Sequence, residues 1–260
     1  MERLSIIIPA YNEEKRIGKT LESYGKFFQR VVKEKKLGSF EILVVINNTH
    51  DKTEEVVRFW QKKFGELRFL NLKQGGKGFA LVEGFTDALT RDNTLIGFAD
   101  ADMATKPPAF YELVKNIGNF DGILASRWKK GAKNMNYLLK RKITSRGFNF
   151  LTRAILFLPF SDTQCGAKVF RRNSISQVVG EIGTTRWNFD VDMLYRMVRK
   201  GLRIKELPTV WEDKEGSKIS LAKVPLQMFS GLMRLRLLFS PFKFIVDLYD
   251  KLPERLKLHH

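Results

Sequence analysis

The sequence predicts an α/β fold in which a mostly parallel sheet is covered by helices on both faces. Three observations lead there. Short runs of nearly all-apolar residues recur along the first half of the chain, helix-length intervals separate them, and polar segments stand at their carboxyl ends. Continuous apolar strands alternating with helices belong to sheets buried on both faces. The strands are expected at Leu4–Pro9, Glu41–Ile46, Leu67–Asn71, Thr94–Phe98 and Gly122–Ser126. In such sheets ligands bind beyond the carboxyl ends of the strands. The segments there are Pro9–Glu13 after the first strand, Asn47–Thr53 after the second and Asp100–Lys106 after the fourth.

At 260 residues, with 43% hydrophobic and 12% aromatic residues, the chain can bury a sizeable core. Its net charge of +18 comes from 46 Lys and Arg against 28 Asp and Glu, which draws it to an anionic partner: nucleic acid, lipid headgroups or phosphorylated substrates. Cys165 is the single cysteine, which excludes an intrachain disulfide and a cysteine-based metal site, and a cytosolic-facing protein is expected. Leu4–Pro9 is too short for a secretory leader, and Glu13 and Glu14 follow at once. No uninterrupted apolar stretch reaches about 18 residues, so no spanning helix is expected.

Asp100-Ala101-Asp102 is the most informative segment. Two carboxylates one residue apart at a strand end supply hard oxygen ligands for Mg²⁺ or Mn²⁺, and an ion held that way carries substrate phosphates. Taken alone, the pair also fits ordinary loop or helix-capping residues. Its position among the other strand-end segments favours the metal. Pro9-Ala10-Tyr11-Asn12-Glu13 reads locally as a turn into a helix capped by Asn12. Gly75-Gly76-Lys77-Gly78 lacks the spacing of a phosphate-binding P-loop and reads as a turn before a helix.

From Gly122 to Ser161 the chain carries nine basic residues and no acid: Arg127, Lys129, Lys130, Lys133, Lys140, Arg141, Lys142, Arg146 and Arg153. A one-sign block marks a partner site or a disordered arm, and the apolar residues between Phe148 and Phe160 argue against disorder. A second αβ region is expected over Thr163–Val210, followed by a polar loop at Trp211–Lys218. The tail from Leu221 to Tyr249, broken at Pro241, mixes basic and bulky apolar residues. It fits either an amphipathic helix pair on a membrane surface or a helix packed on the core. Asp190 and Asp192 open a helix that ends near Lys200, where N-capping is the ordinary role. Cys165 has no histidine beside it and reads as a small buried filler.

The ordered segments Pro9–Glu13, Gly75–Gly78 with Ala80, Asp100–Lys106, Ser126-Arg127, Asp162–Phe170, Arg186–Val191 and Trp211 with Glu215–Lys218 together resemble the family 2 nucleotide-sugar glycosyltransferases. Within them they are most similar to the dolichyl-phosphate β-glucosyltransferases, with the dolichyl-phosphate mannose synthases next. The resemblance covers roughly residues 3 to 240. It implies the GT-A fold, a Rossmann-like sheet with C-terminal amphipathic helices. A catalytic domain over residues 1–220 would divide into a nucleotide-sugar half, 1–121, and an acceptor half, 122–220, with membrane-associated helices over 221–260.

The implied reaction is inverting transfer of a hexose, glucose favoured, from a nucleotide sugar to dolichyl or polyprenyl phosphate, assisted by Mg²⁺ or Mn²⁺. The acceptor phosphate has a second pKa of about 6 and is largely dianionic at neutral pH, so no general base is needed. By the resemblance, Asp100 and Asp102 hold the metal, and Asp190 is a site-facing catalytic carboxylate. Pro9, Tyr11, Asn12, Glu13, Asn47, Lys77, Asp100 and Ala101 bind the nucleotide sugar. Arg127, Arg141, Ser145, Gln164, Ser217 and Lys218 bind the acceptor phosphate.

Two departures from the family pattern stand out. Asn47 replaces a carboxylate that accepts from the donor base; an amide pairs with uracil or guanine, so UDP-glucose is favoured and GDP-mannose stays open. Ala104 replaces a glutamine usual in the mannose synthases, which favours the glucosyl branch. Expected partners are the nucleotide sugar, the prenyl phosphate and a membrane surface at its cytoplasmic face, held peripherally. The competing readings are a mannose synthase, a GT-A enzyme with a non-lipid acceptor, and a non-catalytic basic domain that binds lipid or nucleic acid. Nucleic acid is not expected, because no recognised binding motif is present.

Overall fold

The computed structural model describes residues 1–183, 188–213 and 224–251, with backbone alone for 224–227. Its main sheet has seven strands: β1 (Arg3–Ala10), β2 (Ser39–Asn47), β3 (Leu67–Leu72), β4 (Leu95–Ala99), β5 (Gly122–Ser126), β7 (Ala167–Arg171) and β8 (Ile204–Pro208). They lie in the order β3-β2-β1-β4-β7-β5-β8. A separate two-stranded ribbon pairs β6 (Lys133–Met135) with β9 (Val210–Glu212) in parallel. The helices are α1 (Ile17–Lys33), α2 (Thr53–Gln61), α3 (Lys77–Leu89), α4 (Pro107–Lys115), α5 (Leu139–Leu156), α6 (Arg172–Ser176), α7 (Phe189–Arg199), α8 (Val224–Leu238) and α9 (Lys243–Asp250).

All five expected strands form, each within two residues of its expected ends. β1 shows why. Alternate residues of a strand face opposite sides, so Leu4, Ile6, Ile8 and Ala10 pack with Leu21, Tyr24 and Phe28 of α1, while Ile7 packs with Ala80, Leu81 and Phe85 of α3. Both sets are fully buried, which is why the run is apolar without interruption. Burying one such side chain contributes roughly 1.5–3 kcal/mol.

The chain winds from β1 outward through β2 to β3, then returns to place β4 on the other side of β1. That reversal opens a crevice at the carboxyl ends of β1 and β4. β7 is antiparallel to both β4 and β5, with Ala99 opposite Ala167. Its amino end therefore begins where β4 ends, which brings residues 162–166 to the same edge of the sheet.

The tail divides between its two readings. Leu232 and Leu235 of α8 are fully buried against the core formed by α7, whereas α9, beyond Pro241, exposes Phe242, Phe244 and Leu248. Trp211, expected in a polar loop, is a buried residue of β9, because its indole packs on Tyr137 at 4.8 Å between ring centroids.

Candidate active site

Asp100 follows β4 directly, and its backbone N–H donates to the Gly166 carbonyl at 3.1 Å. Gly166 leaves room for that carboxylate: a Cβ there would come within 1.7 Å of Asp100 Oδ2 and push the side chain aside. The next residues are held from behind by α1. Thr20 Oγ1 donates to the Ala101 carbonyl at 2.6 Å and Tyr24 donates its hydroxyl to the Thr105 carbonyl at 2.8 Å. Met103 takes a positive φ of 62°, and the Ala104 N–H donates to Asp102 Oδ1 at 2.9 Å. The loop thus turns tightly and presents both carboxylates outward from a buried alanine, Ala101.

Asp100 Oδ1 accepts from Lys77 Nζ at 2.5 Å. Lys77 is the first residue of α3, set there by Gly76, whose φ of 126° a side chain would resist. Desolvation pulls the Lys77 ammonium down, but Asp100, Asp190 and Asp102 outweigh it and raise its pKa. Burial and the charge of Asp100 raise the Asp102 carboxyl above the usual range, against the pull of the Ala104 N–H, Arg16 and Lys77. Two carboxylates whose mutual charge is unfavourable suit a divalent cation. Among the described residues no cluster of three or more His, Cys, Asp or Glu could hold a metal. A cation at Asp100 and Asp102 would therefore complete its shell with substrate oxygens and water, as Mg²⁺ does.

Asp190 joins this group from the first turn of α7. Its Oδ1 accepts from Lys168 Nζ at 2.5 Å, and the same ammonium donates to the Cys165 carbonyl at 2.7 Å. Lys168 lies in β7 with 0% of its surface exposed. Capping is not what Asp190 does: α7 has no side-chain cap bond at Asn188. Asp192, expected as the alternative cap, accepts instead from Arg196 Nε at 2.6 Å and from the Gly183 N–H at 3.0 Å. Lys168 was not singled out in the sequence; its signal is a charged residue in the apolar run Ala167–Phe170. Cys165 is buried, and burial with the charge of Asp162 pushes its thiol up to about 12. It is a filler, as expected.

The two loops after β1 and β2 are stitched together. Asn12, at φ 53°, accepts from the His50 N–H at 2.9 Å, and the Glu13 N–H donates to Thr53 Oγ1 at 2.7 Å. Asn12 is therefore not the cap of α1, which begins only at Ile17. The Glu13 carboxylate takes Arg16 by two bonds, of 2.7 and 2.6 Å. Pro9 is the last residue but one of β1, and Tyr11, just beyond the strand, stands exposed. Asn47 ends β2 and holds the backbone around it. It is buried, and with its amide oriented so that both ends are satisfied, Nδ2 donates to the Ala10 carbonyl at 2.8 Å and Oδ1 accepts from the Gly76 N–H at 3.0 Å. The amide ties β1 to the glycine turn with one N–H and one oxygen lone pair, and keeps a second N–H and a second lone pair.

On the acceptor side, Arg127 follows β5. Its Nε and Nη2 bind Asp162 at 2.7 and 2.8 Å, and its own N–H donates to Asp162 Oδ2 at 2.9 Å. Asp162 is fully buried; burial works to raise its pKa, but the Arg127 charge and hydrogen bonds hold it below the usual carboxylate range. The guanidinium also reaches Tyr137 Oη and Ser145 Oγ, each at 3.4 Å, and lies 5.3 Å from the Trp211 ring centroid. It is a fixed part of the wall, with most of its donors already engaged. Arg141, in the first turn of α5, pairs with the buried Asp213. Gln164 is half-buried in the segment joining Asp162 to Gly166. That segment links the two halves: four Cα steps, at most about 14 Å, separate the partner of Arg127 from the residue against Asp100. Ser217 and Lys218 lie outside the described residues, as do Arg186 and Trp187 of the Arg186–Val191 motif.

A mostly parallel sheet with paired carboxylates, a lysine and a wall of arginines at one edge is the arrangement of a GT-A glycosyltransferase. Glucosyl-3-phosphoglycerate synthase from Mycobacterium tuberculosis, solved with Mn²⁺, uridine diphosphate and phosphoglyceric acid, shares the fold with a TM-score of 0.65 at 14% identity, over 91% of this chain and 78% of that one. The family model described as Glycosyl transferase family 2 matches residues 5–179, and the chain belongs to that family. It is 30% identical to human dolichyl-phosphate β-glucosyltransferase over 249 residues, 91% of this chain and 75% of the relative. It is 32% identical to dolichyl-phosphate β-glucosyltransferase ALG5A of Trichomonas vaginalis over 237 residues, 89% of this chain and 72% of the relative.

Proposed function

We propose that the chain transfers glucose from UDP-glucose to dolichyl or polyprenyl phosphate, with inversion, at the cytoplasmic face of a membrane. The observation that carries this reading is the Asp100–Asp102 pair at the end of β4, backed by α1 and faced by Lys77. The names of the two relatives support glucose and a dolichyl-phosphate acceptor, and favour them over mannose. The nucleotide bound by the mycobacterial neighbour agrees with a uridine donor.

Asp100 and Asp102 would hold Mg²⁺ or Mn²⁺, which when bound neutralises the donor diphosphate. Lys77 then turns from Asp100 to the same phosphates, and Pro9, Tyr11, Asn12, Glu13 and Ala101 shape the nucleotide pocket. Asn47 serves by fixing the turn that aims Lys77. Asp190, held by Lys168, faces the sugar. Residues 122–220 receive the acceptor: Arg127 supplies fixed positive charge, and Arg141, Ser145, Gln164, Ser217 and Lys218 supply contacts to its phosphate. The dianionic acceptor oxygen attacks without losing a proton, so alignment and charge neutralisation carry the rate.

Asp102→Asn is the test. It should lower transfer by at least about a hundredfold, the usual scale for losing an electrostatic group, while the thermal midpoint stays the same or rises. Undiminished turnover would end the reading.

A further inference from the structure

We infer that Asn188 is a positioning residue for the Asp190 carboxylate, and that through it helix α8 is a working part of the site. The inference rests on the reading above in which Asp190 faces the sugar. Three consecutive residues at the start of α7 are each tied to a different part of the molecule, as a helix of about 3.6 residues per turn allows. Asn188 reaches α8, where its Nδ2 donates to the Met228 carbonyl at 3.1 Å. Phe189 stacks on Phe85 of α3, with 6.3 Å between ring centroids, and meets Phe98 of β4 edge-on at 6.4 Å. Asp190 turns to Lys168 of β7. The carboxylate is therefore located from three sides, and the C-terminal tail supplies one of them.

Asn188 forgoes two bonds to make that contact. Asparagine is a favoured helix cap, yet this side chain makes no capping bond to α7, whose first turn relies on the Asp192 N–H donating to the Asn188 carbonyl at 2.8 Å. Its Oδ1 is buried with no partner among the described residues, a costly way to place an amide. Helix α8 is shaped for the same contact. At Gly231 a Cβ would come within 1.8 Å of Asn188 Nδ2, so the amide fills the space a side chain would take. Glycine weakens a helix interior relative to alanine, and here it permits this close approach. Leu232 and Leu235, fully buried, share a core with Met193, Leu194 and Met197 of α7. That apolar contact joins the two helices, and the amide ties the end of α7 that carries Asp190. A lock two residues from Asp190 bears on where its carboxylate stands, and a misplacement of about 1 Å can cost on the order of a hundredfold in rate.

Two substitutions and their combination, each in the full chain, test this. Asn188→Ala removes the lock, and Gly231→Ala pushes the amide out of its place. Each should lower kcat for transfer from UDP-glucose by about tenfold or more, with the affinity for UDP, read by titration calorimetry, unchanged. The double variant should recover most of the loss, because the added methyl group fills the space the amide has left. Hydrogen exchange across the first turn of α7, read by mass spectrometry, should follow the same order: faster in each single variant and close to native in the double. Asn188→Ala adds no bulk, so it tests the lock even if Gly231→Ala fails to fold. Native kcat in Asn188→Ala would overturn the inference, as would losses that add in the double variant. So would a fall in UDP affinity that matches the fall in kcat, because the effect would then lie in the fold at large. A native chain that transfers no glucose to prenyl phosphate, with the exchange pattern intact, would overturn the functional reading and leave the lock standing.

Discussion

Lys168 is a charged side chain with none of its surface exposed. A buried ammonium is costly unless paired, and its pairing with Asp190 and the Cys165 carbonyl fixes the Asp190 carboxylate at the crevice. Lys168→Met would leave that carboxylate without its cation, and a loss of about 3–5 kcal/mol in stability is expected. Adding Asp190→Asn should restore much of the stability, measured by denaturant unfolding, but not the turnover. Equal recovery of both would mean that Asp190 has no part in the reaction. Asp102 shows the opposite balance between stability and function. Its carboxyl titrates above the usual range in the folded protein, because of burial and Asp100. The folded state therefore binds a proton that the unfolded chain has released, and stability falls as pH rises through that window. Asp102→Asn should remove this pH dependence in thermal unfolding; an unchanged slope would contradict the assignment.

At the level of elements, α1 and the loop after β4 act together. The Thr20 hydroxyl reaches 81 residues along the chain to the Ala101 carbonyl. Thr20→Val keeps the shape and removes the bond, so it should cost about 1 kcal/mol and weaken Mn²⁺ binding, read by titration calorimetry. β5 and the segment before β7 are joined by Arg127 and Asp162. Asp162→Ala should destabilise the protein by about 3–5 kcal/mol at neutral pH. Because Arg127 lowers the folded Asp162 pKa, that contribution is present above the unfolded value of about 3.9 and disappears as pH falls through the folded one. Unfolding curves of the variant and the native chain should converge in acid; a gap constant with pH would show that packing, and not charge, holds this joint.

At the scale of the whole molecule, the sequence reveals the strands that are buried on both faces, because burial leaves an unbroken apolar run. It reveals the polar ends of those strands for the same reason: an Asp or Asn next to such a run has nowhere to stand but the sheet edge. Direction leaves no such mark, so the antiparallel insertion of β7 between β4 and β5 is absent from the pattern of Ala167–Arg171. Pairings across long separations are equally silent. Arg127 reads as a phosphate ligand, and its buried partner 35 residues away leaves no mark in the sequence. The bonds of the Asn47 amide to Ala10 and Gly76 leave no trace in the sequence pattern either. The basic block is legible as a partner surface.

Transfer of glucose to a prenyl phosphate at the Asp100–Asp102 edge of the sheet, as proposed, can be read directly. The most direct measurement incubates the full chain with dolichyl phosphate and, in turn, radiolabelled UDP-glucose and GDP-mannose, with Mg²⁺ or Mn²⁺ or with a chelator, and counts label extracted into the lipid phase. Lipid-borne label is expected from UDP-glucose in the presence of metal, and none with chelator or in Asp102→Asn. Label from GDP-mannose alone, label that survives the chelator, or no label in the lipid phase would contradict it.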